Sequence, residues 1–126
     1  KAKDEALKKL MNYKINRFMN IEDFERSVHR LFDLAFDGFD TYLSYDRCFE
    51  KLGVDEEFTV QPNFEKYNAS ELLWLLDSIC HIDRRNNFEL MKFFIKSNYI
   101  KNLMLELKKK QEHIFDEVPE DFFERG

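Results

Sequence analysis

The sequence predicts an all-α protein, a single compact bundle of five to six helices around a central helix at about residues 69–81. Three observations predict it. The densest apolar run is Leu72-Leu73-Trp74-Leu75-Leu76, continued by Ile79 and Cys80. It covers most of a helix circumference, and a helix apolar nearly all round has neighbours on several sides. Asn68 precedes the run and Glu71 follows three residues later, the spacing of a capping box. Gly and Pro number only three and two, too few for the tight turns of a sheet protein.

The other elements follow from helical periodicity. In residues 3–19, Ala6, Leu7, Leu10, Met11, Ile15, Phe18 and Met19 make one stripe, with Lys8, Lys9, Lys14 and Arg17 largely outside it. Asn20 can cap a second helix carrying Phe24, Val28, Leu31, Phe32, Ala35 and Phe36 and ending near Gly38. Glu22 and Asp23 suit the positive end of its dipole. Asp40 or Thr41 can cap a third helix through Tyr42, Leu43, Tyr45, Cys48, Phe49 and Leu52, stopped by Gly53. Residues 54–67 form the one long connection, with Phe58-Thr59-Val60 a short extended piece and Phe64 and Tyr67 pinning it to the core. The polar segment 81–87 turns the chain, helix 5 covers about 87–97, and Ser97-Asn98 marks a break. Helix 6 takes Ile100, Leu103, Met104 and Leu107 and extends toward Phe115.

Residues 1–115 thus read as one domain, followed by an acidic tail over 116–126. At 44% hydrophobic and 36% charged residues the chain is globular, and its length supports a core without metal or disulfide staples. Cys48 and Cys80 lie among apolar neighbours and read as buried free thiols. The central run falls short of the roughly 20 apolar residues that span a bilayer, and the N-terminus lacks a signal-peptide pattern. The expectation is a cytoplasmic protein with no membrane partner and no cofactor.

Charge is distributed in blocks. Residues 1–19 hold six basic and two acidic side chains, and residues 20–77 hold five basic and fourteen acidic ones. Residues 78–111 hold eight basic and three acidic, and residues 112–126 one basic and six acidic. Asp33 and Asp37 repel at a spacing of four near a helix C-terminus, with Asp40 just beyond. A basic partner would explain keeping them, and Asp46, Asp55, Glu56 and Glu57 extend the same acidic surface. The opposite face, Arg84, Arg85, Lys92, Lys96 and Lys101 and then Lys108–Lys110, is the best nucleic-acid signal, although a pI of about 5.3 argues against general nucleic-acid affinity.

Motifs of catalysis are mostly missing from the chain; a Cys–His nucleophile pair, Cys80 or Cys48 with His29 or His81, is the thiol-enzyme alternative, and the buried character of both cysteines weighs against it. The three glycines stand alone, so there is no phosphate-binding loop. No Cys or His pair has zinc-finger spacing, and adjacent Cys80 and His81 point about 100° apart on a helix. His29 and His113 read as surface histidines. A magnesium site on Asp33, Asp37 and Asp40 has no supporting glycine loop or fourth ligand. Arg85-Asn86 is not followed by the histidine that helical RNA-cleaving domains carry.

The segment Lys14-Ile15-Asn16-Arg17-Phe18-Met19-Asn20-Ile21-Glu22-Asp23-Phe24-Glu25 resembles the opening of helical bacteriocin immunity proteins, which are small, acidic and non-enzymatic. It is an ordinary helix–cap–helix pattern over twelve residues and carries no family assignment. The function expected is a non-enzymatic protein–protein interaction module, an inhibitor, immunity protein or regulator, binding a basic partner through its acidic surface. The alternative is a nucleic-acid-associated protein using the basic face of residues 84–110.

Overall fold

The computed structural model describes residues 1–36 and 45–116. Gly38, the Asp40 or Thr41 cap and the tail beyond Asp116 lie outside the described residues. The described chain is helical, without strands: α1 (Ala2–Met11), α2 (Ile21–Ala35), α3 (Tyr45–Leu52), α4 (Ala69–Arg85), α5 (Glu89–Lys96) and α6 (Tyr99–Lys109). Short 3-10 turns occupy Phe64–Lys66 and Gln111–His113.

α4 is the centre, as its apolar circumference predicts. It packs on α2, α3, α5 and α6, while α1 packs on α2. Leu72, Leu73, Leu75, Leu76, Ile79 and Cys80 are wholly buried and Trp74 is 1% exposed. Asn68 accepts the Glu71 N–H, and the Glu71 carboxylate accepts the Asn68 N–H, both at 2.9 Å. Two otherwise orphaned N–H groups are thereby satisfied at a buried helix start.

The long connection is pinned as Phe64 and Tyr67 predict, but it is not extended. Phe58 sits at φ 57°. The Asp55 carboxylate closes the turn by accepting N–H groups from Glu57, Thr59 and Val60 and the Thr59 hydroxyl. Phe58 thereby turns inward against Phe49, Phe94 and Tyr99, with ring centroids 5.5, 4.8 and 6.1 Å away. Burial of an aromatic ring, typically 150–250 Å², outweighs the strain of one left-handed residue. Tyr67 donates to the Leu52 carbonyl at 2.5 Å, and Lys110 donates to the Tyr67 and Glu65 carbonyls.

Three boundaries differ from expectation, one being α6, which stops at Lys109 and gives way to the 3-10 turn short of Phe115. α1 stops at Met11, not near 19: Tyr13 donates to Asp23 and packs on Phe24, folding the link back onto the start of α2. Phe18, assigned to the stripe, is 80% exposed. α4 runs on to Arg85 through the segment expected to turn. Its polar face there is used, because Asp83 is buried and accepts the Met91 N–H at 2.6 Å, fixing the first turn of α5. The chain reverses one step later, at Asn87 and Phe88, both at positive φ. Gly53 at φ 65° ends α3, and Asn98 at φ 63° makes the expected break between α5 and α6.

Asn68→Ala should lower unfolding free energy by about 1 kcal/mol, and Leu76→Ala by about 2–5 kcal/mol. Urea denaturation followed by Trp74 emission measures both, and a larger loss for Asn68→Ala would reverse the ranking of cap and core.

Candidate functional site

The acidic surface read from the sequence divides in the structure. Asp37 and Asp40 lie outside the described residues. Asp33 is exposed but lies 3.4 Å from His29 Nε2. Asp55 is engaged in its own turn; the Thr59 hydroxyl and the N–H of Glu57 hold its carboxyl below the usual range. Asp46, Glu56 and Glu57 are exposed, and their side chains make no hydrogen bond or ion pair among the described residues.

The basic face divides too. Arg84 turns to His81 Nδ1 at 3.3 Å, and Arg85 donates to the Tyr45 hydroxyl while lying over its ring. Lys92, Lys96 and Lys101 stay together, because α5 and α6 are short, adjacent and separated only by the Asn98 break. The 15–21 link brings Arg17 to the same place. These four cations, with Asn16 and Asn98, surround Ile15, Ile21 and Ile95 in a groove of about 630 Å³ whose lining holds no carboxylate. Lys92 pairs with Glu89 at 3.2 Å, whereas Lys96 and Lys101 have no acidic partner among the described residues. Arg17 was assigned from periodicity to the solvent side of a longer helix 1; only the early stop of α1 places it here.

A second cluster, not expected from the sequence, joins α2 to α4. Asp77 is 3% exposed. Its Oδ1 lies 3.2 Å from His29 Nδ1 and its Oδ2 3.2 Å from His81 Nε2. The two imidazoles meet edge to face with centroids 5.4 Å apart. Burial alone would raise the Asp77 carboxyl, but hydrogen bonds from both histidines outweigh it and hold it below its usual range. The same bond to Asp77 raises His29. His29 is therefore not the ordinary surface histidine of the sequence reading. The available signal was a pair of four-residue spacings, His29 to Asp33 and Asp77 to His81, each placing two groups on one helix face.

One turn away, Glu25 is 1% exposed and its carboxyl faces that of Asp83. Neither Glu25 oxygen nor Asp83 Oδ2 meets a donor among the described residues. Burial and then Asp83 push the Glu25 carboxyl up to about 9, so it holds a proton and donates it to Asp83. Both cysteines are free and fully buried; burial pushes the Cys48 thiol up to about 12 and the Cys80 thiol well above its usual value. Burial of this kind makes inert structural thiols, not nucleophiles.

No family model, curated protein or solved structure matches this chain. Among the described residues no helix is long and apolar enough to cross a membrane.

The Glu25 proton gives stability a pH dependence of known sign. Below pH 4.5 the residue is protonated folded or unfolded, and between 4.5 and about 9 only the folded chain keeps the proton. Each rise in pH over that interval therefore favours unfolding. Glu25→Gln keeps the donor without the titration and should flatten the decline, leaving the part due to His29. Urea midpoints at pH 5, 7 and 9 check this; parallel curves for wild type and variant would show that Glu25 is ionised in the fold.

Proposed function

We propose that this chain is a small non-enzymatic binding module that takes an acidic amphipathic segment of a partner protein into the groove between the 15–21 link and α5–α6. The observation that carries this reading is the convergence of Arg17, Lys92, Lys96 and Lys101 on Ile15, Ile21 and Ile95, without a carboxylate in the lining. An apolar floor between cations fits a helix with one apolar face and an acidic rim, the usual helix-in-groove mode. The cations speed encounter and set register, while the isoleucines supply the apolar contact. Single-stranded nucleic acid is less well matched, since its bases stack on aromatic side chains and this floor is aliphatic.

The same class of module acting through its acidic face, as an inhibitor or immunity protein would on a basic partner, is a second reading. Exposed Asp46, Glu56 and Glu57 favour it. The groove leads because its charges converge around a recess.

Fluorescence anisotropy of a labelled helical peptide of alternating Glu and Leu turns should show saturable binding that weakens as salt rises. The Lys96→Glu, Lys101→Glu double variant should weaken it at least 10-fold, and an Asp46→Lys, Glu57→Lys variant should leave it unchanged. No binding of the acidic peptide, or tighter binding of a labelled single-stranded oligonucleotide, would overturn the reading.

A further inference from the structure

We propose that His29 Nδ1, His81 Nε2 and the Asp77 carboxylate form a binding site for a divalent transition metal of the zinc class. The site is on the α2–α4 seam and stands independently of the groove. Each of the three residues offers a ligand atom, and these atoms lie within 4.8 Å of one another. Two imidazole nitrogens and a carboxylate are a common three-ligand set for zinc, with the fourth position left to water. At bond lengths of about 2.0–2.1 Å, ligand atoms around a tetrahedral ion are separated by about 3.3 Å. Here His29 Nδ1 lies 3.2 Å from one Asp77 oxygen and His81 Nε2 lies 3.2 Å from the other. Gathering the three ligands requires two partly exposed imidazoles, with 38% and 44% of their side chains accessible, to swing together until both face one Asp77 oxygen or the ion takes both oxygens. Calcium and magnesium prefer all-oxygen shells and do not match this set.

Without metal, the same atoms are held by protons: each imidazole can donate an N–H to Asp77. Loading moves each of these protons to the other nitrogen of its ring, and the groups facing those nitrogens then act in opposite directions. The proton displaced to His29 Nε2 meets Asp33 Oδ2 at 3.4 Å, a carboxylate that accepts it and orients the ring. The proton displaced to His81 Nδ1 meets Arg84 Nη2 at 3.3 Å, a donor that must swing away and whose charge also repels the ion. Asp33 therefore assists the metal and Arg84 opposes it, though neither touches it. A merely structural histidine–aspartate bridge gives no reason for these two residues to move metal affinity in opposite directions.

Cobalt(II) titration of the full chain near pH 7.5 tests the site. The expected result is the intense visible absorption of four-coordinate cobalt, abolished by zinc chloride, with a melting temperature that rises with zinc concentration. His81→Gln and His29→Gln should abolish the bands. Asp33→Asn should weaken zinc binding by about 10-fold or more, and Arg84→Ala should tighten it. The proposal is overturned if wild type gives neither visible bands nor a zinc-dependent melting shift, or if bands persist in the His29→Gln, His81→Gln double variant. It is also overturned if Asp33→Asn and Arg84→Ala shift zinc affinity in the same direction. Far-ultraviolet circular dichroism confirms that each variant is folded, and the two variants outside the ligand set keep the test open if a histidine variant is not.

Discussion

α4 is covered by neighbours along most of its length, and it carries two buried carboxylates, Asp77 and Asp83. Removing an unpaired carboxylate from water costs far more than one apolar contact returns, so both must find partners inside the bundle. α2 supplies them. Glu25 and His29 are four residues apart on one of its faces, and they meet Asp83 and Asp77 respectively. Rising numbers on α2 meet falling numbers on α4, so the two helices run antiparallel. Partnering by a neutral carboxylic acid at one end and by histidine at the other fixes their register as apolar packing alone would not. Slipping one helix by a turn would part Asp77 from His29 and Asp83 from Glu25, leaving Asp77 only His81 and Asp83 only the Met91 N–H.

The fold was largely legible because its strongest signals are local. Helix 4 announces itself through five consecutive apolar residues and a capping box that needs only Asn68 and Glu71. Gly53 and Asn98 mark helix ends through backbone conformations that depend on single residues. What the sequence misplaced depends on distant contacts. The stripe of helix 1 continues past Met11 on paper, but the Tyr13 bond to Asp23 and the packing of Tyr13 on Phe24 favour a folded-back link. Polar residues 81–85 look like a turn until Asp83 is seen to be buried and bonded to Met91. Phe58 looks like strand until Asp55 closes a turn beneath it.

The sites were less legible for the same reason. Lys92, Lys96 and Lys101 were visible as a basic face, since they lie close together in sequence. Arg17 is seventy-five residues from Lys92 and joins them only through the tertiary fold. His29 sits between Arg26 and Arg30 and reads locally as solvated surface, yet the residue that defines it, Asp77, lies forty-eight positions away. Adjacent Cys80 and His81 point to different sides of α4: the thiol is buried, while the imidazole is partly exposed. Local spacing identifies which groups share a helix face; it does not say which face meets which.

The seam and the groove are physically connected through one side chain, Asp83. Asp83 Oδ1 accepts the Met91 N–H in the first turn of α5, and the same carboxyl faces that of Glu25. The carboxyl that faces α2 thus also fixes where α5 begins. Lys92, Ile95 and Lys96 follow within that short helix, so their positions at the groove are set from inside the core. α5 has eight residues, too few to be stable alone in water, and its start at Phe88 is a strained left-handed residue with no side-chain cap. The Met91–Asp83 bond supplies what the missing cap does not: it satisfies an N–H in the first turn and anchors that turn to α4. A groove built on so short a helix keeps its shape because a buried carboxylate, itself kept partnered by Glu25, holds the end from which the helix grows.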